Sequence, residues 1–233
     1  MSLVMAFEAL DGVVLAADTK GIGMLDGMNY DMGQASKLRQ LGNGAVGMTG
    51  DLNLLEAFLN KAERQGISFT QEKRFDDTVS ELSGTFRSFY KADRGDKDYR
   101  EIEKHTPPTE LILVGRGEYE GEKRNFIYSM RLNQDFSIRP EKHWYVIGQW
   151  LHGGCYYPCR YYRTTMDLKR VAFLAYFCIN EVAALDGTVG TPVDLLVLRN
   201  NSPEPVPQDW INEFEQKYRE AHKQIEKWFG IRE

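Results

Sequence analysis

Cysteine is scarce in this chain: Cys155, Cys159 and Cys178 are the only three among 233 residues. An odd, low number excludes a secreted disulfide framework and suits a reducing, cytoplasmic compartment. Cys155 and Cys159 lack a second Cys or His pair to complete a zinc set, so no metal and no cofactor is expected. Long hydrophobic runs are lacking too. No stretch of about 18 apolar residues occurs, so no membrane span is expected. Glu8 and Asp11 interrupt the first apolar run, and no positive segment precedes it, which excludes a signal peptide. Basic residues do not dominate. Lys and Arg number 29 against 34 Asp and Glu, a net charge of −5, and a nucleic-acid binder would need a basic face. The four histidines, His105, His143, His152 and His222, show no spacing that pairs them and read as structural or surface residues.

What is present is a normal globular complement, 42% hydrophobic residues, enough for one large domain with a full core. Residues 3–9 and 13–18 are β-rich runs around Leu10-Asp11-Gly12, a hairpin signal because Asp-Gly tolerates positive φ. Residues 19–36 are rich in Gly, Met and Asp and read as a loop. Residues 37–41 and 45–49 make a second hairpin around Gly42-Asn43-Gly44. Asp51 is an N-cap for a helix that Gly66 ends, with Leu54, Leu55, Phe58, Leu59 and Ala62 on its apolar face. A second helix fits 76–91. Residues 93–108 are charged, end in Pro107-Pro108, and read as an exposed insertion. Strands follow at 110–114, 125–131, 136–139 and 145–147, with 116–124 as a polar hairpin loop. The Tyr-rich stretch around Tyr156, Tyr157, Tyr161 and Tyr162 reads as packing or interface surface. Residues 167–185 form a strong amphipathic helix, 186–190 a turn and 193–198 a buried strand. Pro207 opens a terminal helix whose apolar steps, Ile211, Phe214, Tyr218, Ala221, Ile225 and Trp228, alternate three and four. This order is neither a βαβ alternation nor strands alone. It implies an α+β fold with antiparallel sheets covered by helices.

Three polar residues stand in the β-rich opening: Ser2 at its head, Asp18 at the end of the second strand and Lys37 before the third. The strings DGVVLAAD (Asp11 to Asp18), Lys37-Leu38 before a strand, Thr49-Gly50 before the first helix, Gly148, and Asp186 followed by the 190–195 strand start resemble the proteasome β-subunit family of N-terminal nucleophile hydrolases. The resemblance spans most of 2–198. It implies a four-layer αββα sandwich over a body of 2–200; the terminal helix lies outside the resemblance, and 207–233 reads from its apolar steps as a helical extension packed on the body or on a neighbour. It also implies roles. Ser2 falls at the N-terminal nucleophile, Asp18 and Lys37 at the catalytic pair, Gly50 at the backbone donor of the oxyanion hole, and Asp186 at a carboxylate supporting the nucleophile.

The chemistry is coherent. A hydroxyl needs a base beside it, and a free α-amine, with an ordinary pKa of about 7.7 to 8.0, can serve. A neighbouring ammonium lowers that value and leaves more amine neutral. Ser2 follows Met1, and serine is small enough for aminopeptidase removal of Met1. Ser2 stands where the family has threonine, Gln149 and Val189 where it has serines. The expected activity is peptide or amide hydrolysis through an acylated Ser2. The alternatives are a non-catalytic scaffold subunit and acyl transfer to an amine at the same site. The family builds rings, so a homo-oligomer is expected, acting on a peptide or amide substrate, with no nucleic-acid or membrane partner.

Overall fold

The computed structural model describes residues 2–25, 28–94, 108–119, 122–134, 136–148, 154–200 and 202–230. Its architecture follows from the two-residue period of its strands. In β1 (Leu3–Ala9), Leu3, Met5, Phe7 and Ala9 join one apolar cluster, while Val4 and Ala6 join another. In β2 (Gly12–Asp18), Val14 and Ala16 face the first cluster and Val13, Leu15 and Ala17 the second. A strand buried on both faces lies in a middle layer.

One five-stranded antiparallel sheet has the order β10 (Trp144–Gly148), β1, β2, β11 (Val193–Leu198), β12 (Pro203–Pro205). The other runs β5 (Leu38–Leu41), β6 (Gly44–Thr49), β7 (Glu110–Tyr119), β8 (Glu122–Arg131), β9 (Ser137–Pro140). Ala45, Ile112, Val114 and Ile127 of the second sheet meet Val4, Leu15, Ile147 and Leu198 of the first between the layers.

Helices cover the outer faces. α1 (Leu52–Arg64) starts where the Asp51 carboxylate accepts from the Leu54 amide at 3.0 Å, a cap of about 1 kcal/mol. It packs with α2 (Phe75–Arg94) on the second sheet, where Phe58 stacks on Phe86 at 4.4 Å. After the short α3 (Tyr156–Tyr161), α4 (Leu168–Leu185) is capped by Asp167 and covers the first sheet. α5 (Gln208–Trp228) lies on α4 through the buried Phe214, whose ring centre is 5.5 Å from that of Phe173. The result is the expected α+β, four-layer αββα arrangement. Among the described residues, no helix is long and apolar enough to cross a membrane.

Two expectations are corrected and two features are added. Residues 19–36 are not a loop: β3 (Lys20–Leu25) and β4 (Met28–Gln34) form a two-stranded antiparallel ribbon. Glycine-rich sequence hid it, because a ribbon held by backbone pairing needs little β-propensity from its side chains. The polar segment 116–124 is mostly strand, since β7 and β8 pair out to Tyr119 and Glu122; a ribbon beyond the core has no apolar face to reveal it. β12 carries two prolines, which a short edge strand tolerates. The terminal helix packs on the body as far as His222, which meets Glu181 at 2.7 Å, while Trp228 and Phe229 at its end are 78% and 75% exposed. Most of the 93–108 insertion lies outside the described residues.

Candidate active site

Antiparallel register gathers the site at one edge of both sheets. Leu3 stands opposite Gly148, the last residue of β10, and Asp18 opposite Val193, the first of β11. In the second sheet the Met48 amide donates to the Lys37 carbonyl at 2.9 Å, and Thr49 faces Glu110 at the start of β7. The head of β1, the end of β2, the approach to β5 and the end of β6 therefore converge.

Asp18 and Lys37 are both fully buried. Asp18 Oδ1 accepts from Lys37 Nζ and from the Leu3 amide, each at 2.7 Å. Its Oδ2 accepts from the Lys20 and Gly190 amides, each at 3.2 Å. Lys37 Nζ also donates to the Lys20 carbonyl at 2.7 Å. An ammonium has three N–H bonds, and among the described residues two are engaged. The amide that follows Ser2 and the ammonium thus share one carboxylate oxygen. Burial pushes the Lys37 pKa below its ordinary value, and the charge of Asp18 opposes that fall without cancelling it.

Ser2 is half-buried, and among the described residues its hydroxyl has no hydrogen-bond partner. Its carbonyl rests against Gly148. A Cβ on Gly148 would stand 1.9 Å from the Ser2 oxygen, and its φ is +87°. Gly50 has φ +92°, and a Cβ there would stand 2.6 Å from the Pro108 carbonyl oxygen. Both positions require glycine.

Such a middle-layer pair, at the head of the first strand of an αββα sandwich, calls for comparison with known folds. No family model matches the sequence, and no curated protein matches it. Solved structures do. Anbu (ancestral β-subunit) from Yersinia bercovieri superposes with a TM-score of 0.76 at 15% identity, covering 98% of this chain and 96% of that one. The helical assembly of the Anbu complex from Pseudomonas aeruginosa gives 0.72 at 18%, covering 97% and 96%. An Anbu (Gly-1) mutant from Hyphomicrobium sp. strain MC1 gives 0.69 at 18%, covering 96% and 97%. The fold is that of Anbu. It is the proteasome β-like arrangement of two antiparallel sheets and flanking helices, shared over nearly the whole chain.

Within this Anbu fold the remaining expected residues lie as follows. Asp186 ends α4, and its Oδ1 accepts from the Thr188 amide at 2.8 Å and hydroxyl at 2.7 Å. The turn so closed delivers the Gly190 amide to Asp18, which links Asp186 to the pair through the backbone. Val189 is buried in the apolar cluster of α4 and donates its amide to the Asp186 carbonyl at 3.0 Å. Gln149 lies outside the described residues, as do Met1, His105 and His152. His143 and His222 instead meet carboxylates, Glu8 at 2.9 Å and Glu181 at 2.7 Å, far along the chain.

Two acids went unread. Asp194 of β11 is half-buried and faces Ala17 in register. Burial raises its carboxyl pKa, Lys37 works against that, and Asp18 adds to it. Glu110 is buried beside Thr49. The signal for both was available: a charge within an otherwise apolar strand, in VDLLVL and ELILV. No group of three or more His, Cys, Asp or Glu that could hold a metal occurs among the described residues.

Proposed function

We propose that this chain is a serine-type N-terminal nucleophile amidohydrolase or peptidase. Ser2, freed of Met1, is the nucleophile, and its own α-amine is the base. The amine takes the hydroxyl proton as Oγ attacks the amide carbon. Lys37, held by Asp18, stabilises charge on Oγ and keeps the amine largely neutral. The Gly50 N–H stabilises the tetrahedral oxyanion, a contribution of about 3 to 4 kcal/mol for one such donor. Collapse releases the amine product with the transferred proton, and water then cleaves the Ser2 ester. Asp186 shapes the turn that braces Asp18.

The observation that carries this reading is the fully buried Asp18–Lys37 pair bonded to the amide next to Ser2. A buried ion pair contributes little to stability compared with apolar side chains of the same size, so its presence beside a strand head favours a chemical role.

The test is intact mass followed by labelling with a β-lactone probe, in which Ser2 Oγ opens the ring and keeps the acyl group as an ester. Loss of Met1 and labelling of wild type but not of Ser2→Ala is expected. Equal labelling of both proteins removes Ser2 from the role. A scaffold reading is favoured by one observation, Val189 buried among apolar side chains where the resemblance implies a serine; retention of Met1 throughout would decide for it.

The Pseudomonas Anbu is described as a helical assembly. For this chain too we propose a homo-oligomer, with exposed Tyr156, Tyr161, Trp228 and Phe229 at contacts between copies and the 207–233 extension on the body or a neighbour. We propose a reducing, cytoplasmic compartment, a reading that the three free thiols support.

A further inference from the structure

A second buried acid stands behind the strand head. Glu110, 9% exposed, opens β7, and its Oε2 accepts from the Gly148 amide at 3.3 Å. Oε1 lies 2.9 Å from Nε of Arg131, its cross-strand partner. The Arg131 guanidinium sits over the Tyr145 ring, 5.8 Å from its centre, and donates to the Tyr145 hydroxyl. Tyr145 belongs to β10, as does Gly148. A polar bridge therefore runs from β7 and β8 of one sheet to β10 of the other, and it does so at the edge that carries Ser2.

The geometry of Gly148 gives the bridge its consequence. Its Cα side faces the Ser2 carbonyl so closely that no Cβ fits, and Thr49 Cγ2 would lie 3.3 Å from such a Cβ. The Thr49 hydroxyl is buried there and, among the described residues, has no hydrogen-bond partner. The side-chain hydrogen bond at this corner among the described residues is the one that the Gly148 amide donates to the Glu110 carboxylate. Burial raises the Glu110 pKa, with Arg131 and the Gly148 amide opposing.

We propose that Glu110 is a positioning residue for the nucleophile: braced by Arg131, it fixes the Gly148 amide and with it the strand end on which Ser2 rests. This rests on the hydrolase reading above, and the test separates the two. Amide hydrogen exchange at Gly148 and β-lactone labelling at Ser2 are measured in wild type, Glu110→Ala and Glu110→Gln. Ala should speed exchange at Gly148 about tenfold, the loss of one hydrogen bond, with distant strands unchanged. It should also lower the maximal labelling rate about tenfold at unchanged half-saturating probe. Gln keeps an acceptor for the amide and should restore both to within about threefold. Unchanged Gly148 exchange in Ala, an equal rise throughout both sheets, or Gln as impaired as Ala overturns the proposal. If wild type is not labelled, the hydrolase reading fails, and the exchange measurement alone still decides what Glu110 holds.

Discussion

Lys37 and Arg39 stand two residues apart and make ion pairs of similar length in opposite surroundings. Lys37 meets Asp18 at 2.7 Å with both side chains fully buried. Arg39 reaches across to α1, where its two nitrogens meet Glu56 at 2.6 Å and Glu63 at 2.5 Å, carboxylates 44% and 42% exposed. Water screens the second pair and not the first. Arg39 clips a helix to a strand and is replaceable. Lys37 has left water for one acid and one carbonyl, and a pair so buried stabilises the fold little compared with apolar side chains of the same size, which is what the proposed chemical role accounts for.

The largest predicted effect breaks the inner pair. Lys37→Met leaves Asp18 charged and alone, which should lower unfolding free energy in urea by about 3 to 5 kcal/mol and abolish Ser2 labelling. The double variant Lys37→Met, Asp18→Leu should recover most of that stability while remaining unlabelled. Stability and reactivity would then part company, as a catalytic pair requires. Recovery of labelling together with stability would make the pair structural.

Next comes Gly50→Ala. A residue with a Cβ at φ +92°, with the Pro108 oxygen 2.6 Å from that Cβ, is strained by about 1 to 2 kcal/mol before any clash is counted. Thermal melting should show the loss, and labelling should fall more steeply than the melting temperature suggests.

Arg39→Ala should cost no more than about 1 kcal/mol and leave labelling within about twofold, a control for the inner pair. The smallest effect concerns Glu213, partly exposed on the terminal helix, whose pKa Lys169 and Lys217 lower to about 2. Its folded value lies below the unfolded one, so its stabilisation is present above about pH 4.5 and disappears as pH falls towards 2. The melting difference between wild type and Glu213→Gln should therefore shrink over that interval. A difference that grows would reverse the sign.

The same contrast explains what was legible in sequence. β1 and β2 were readable because, Glu8 apart, their side chains are buried and apolar up to the terminal Asp18, and a turn joins the two strands. Asp18 and Lys37 were readable as charges at the end of one strand and the start of another, in strings that resemble the proteasome β-subunit family. Glu110 opens its strand and Asp194 lies within one, and the meaning of each comes from partners in another sheet or strand: Gly148 for one, Lys37 for the other. No local pattern contains such a pairing. The 20–34 ribbon stayed hidden for a different reason, since Gly21, Gly23 and Gly33 offer no side-chain alternation and the backbone alone pairs them.

The most direct measurement is tandem mass spectrometry of the full chain after β-lactone treatment, reading which residue carries the acyl group and whether Met1 precedes it. An ester on the oxygen of an N-terminal Ser2 is the predicted result, absent from Lys37→Met. An adduct on any other side chain, or on a Ser2 still preceded by Met1, would contradict the account.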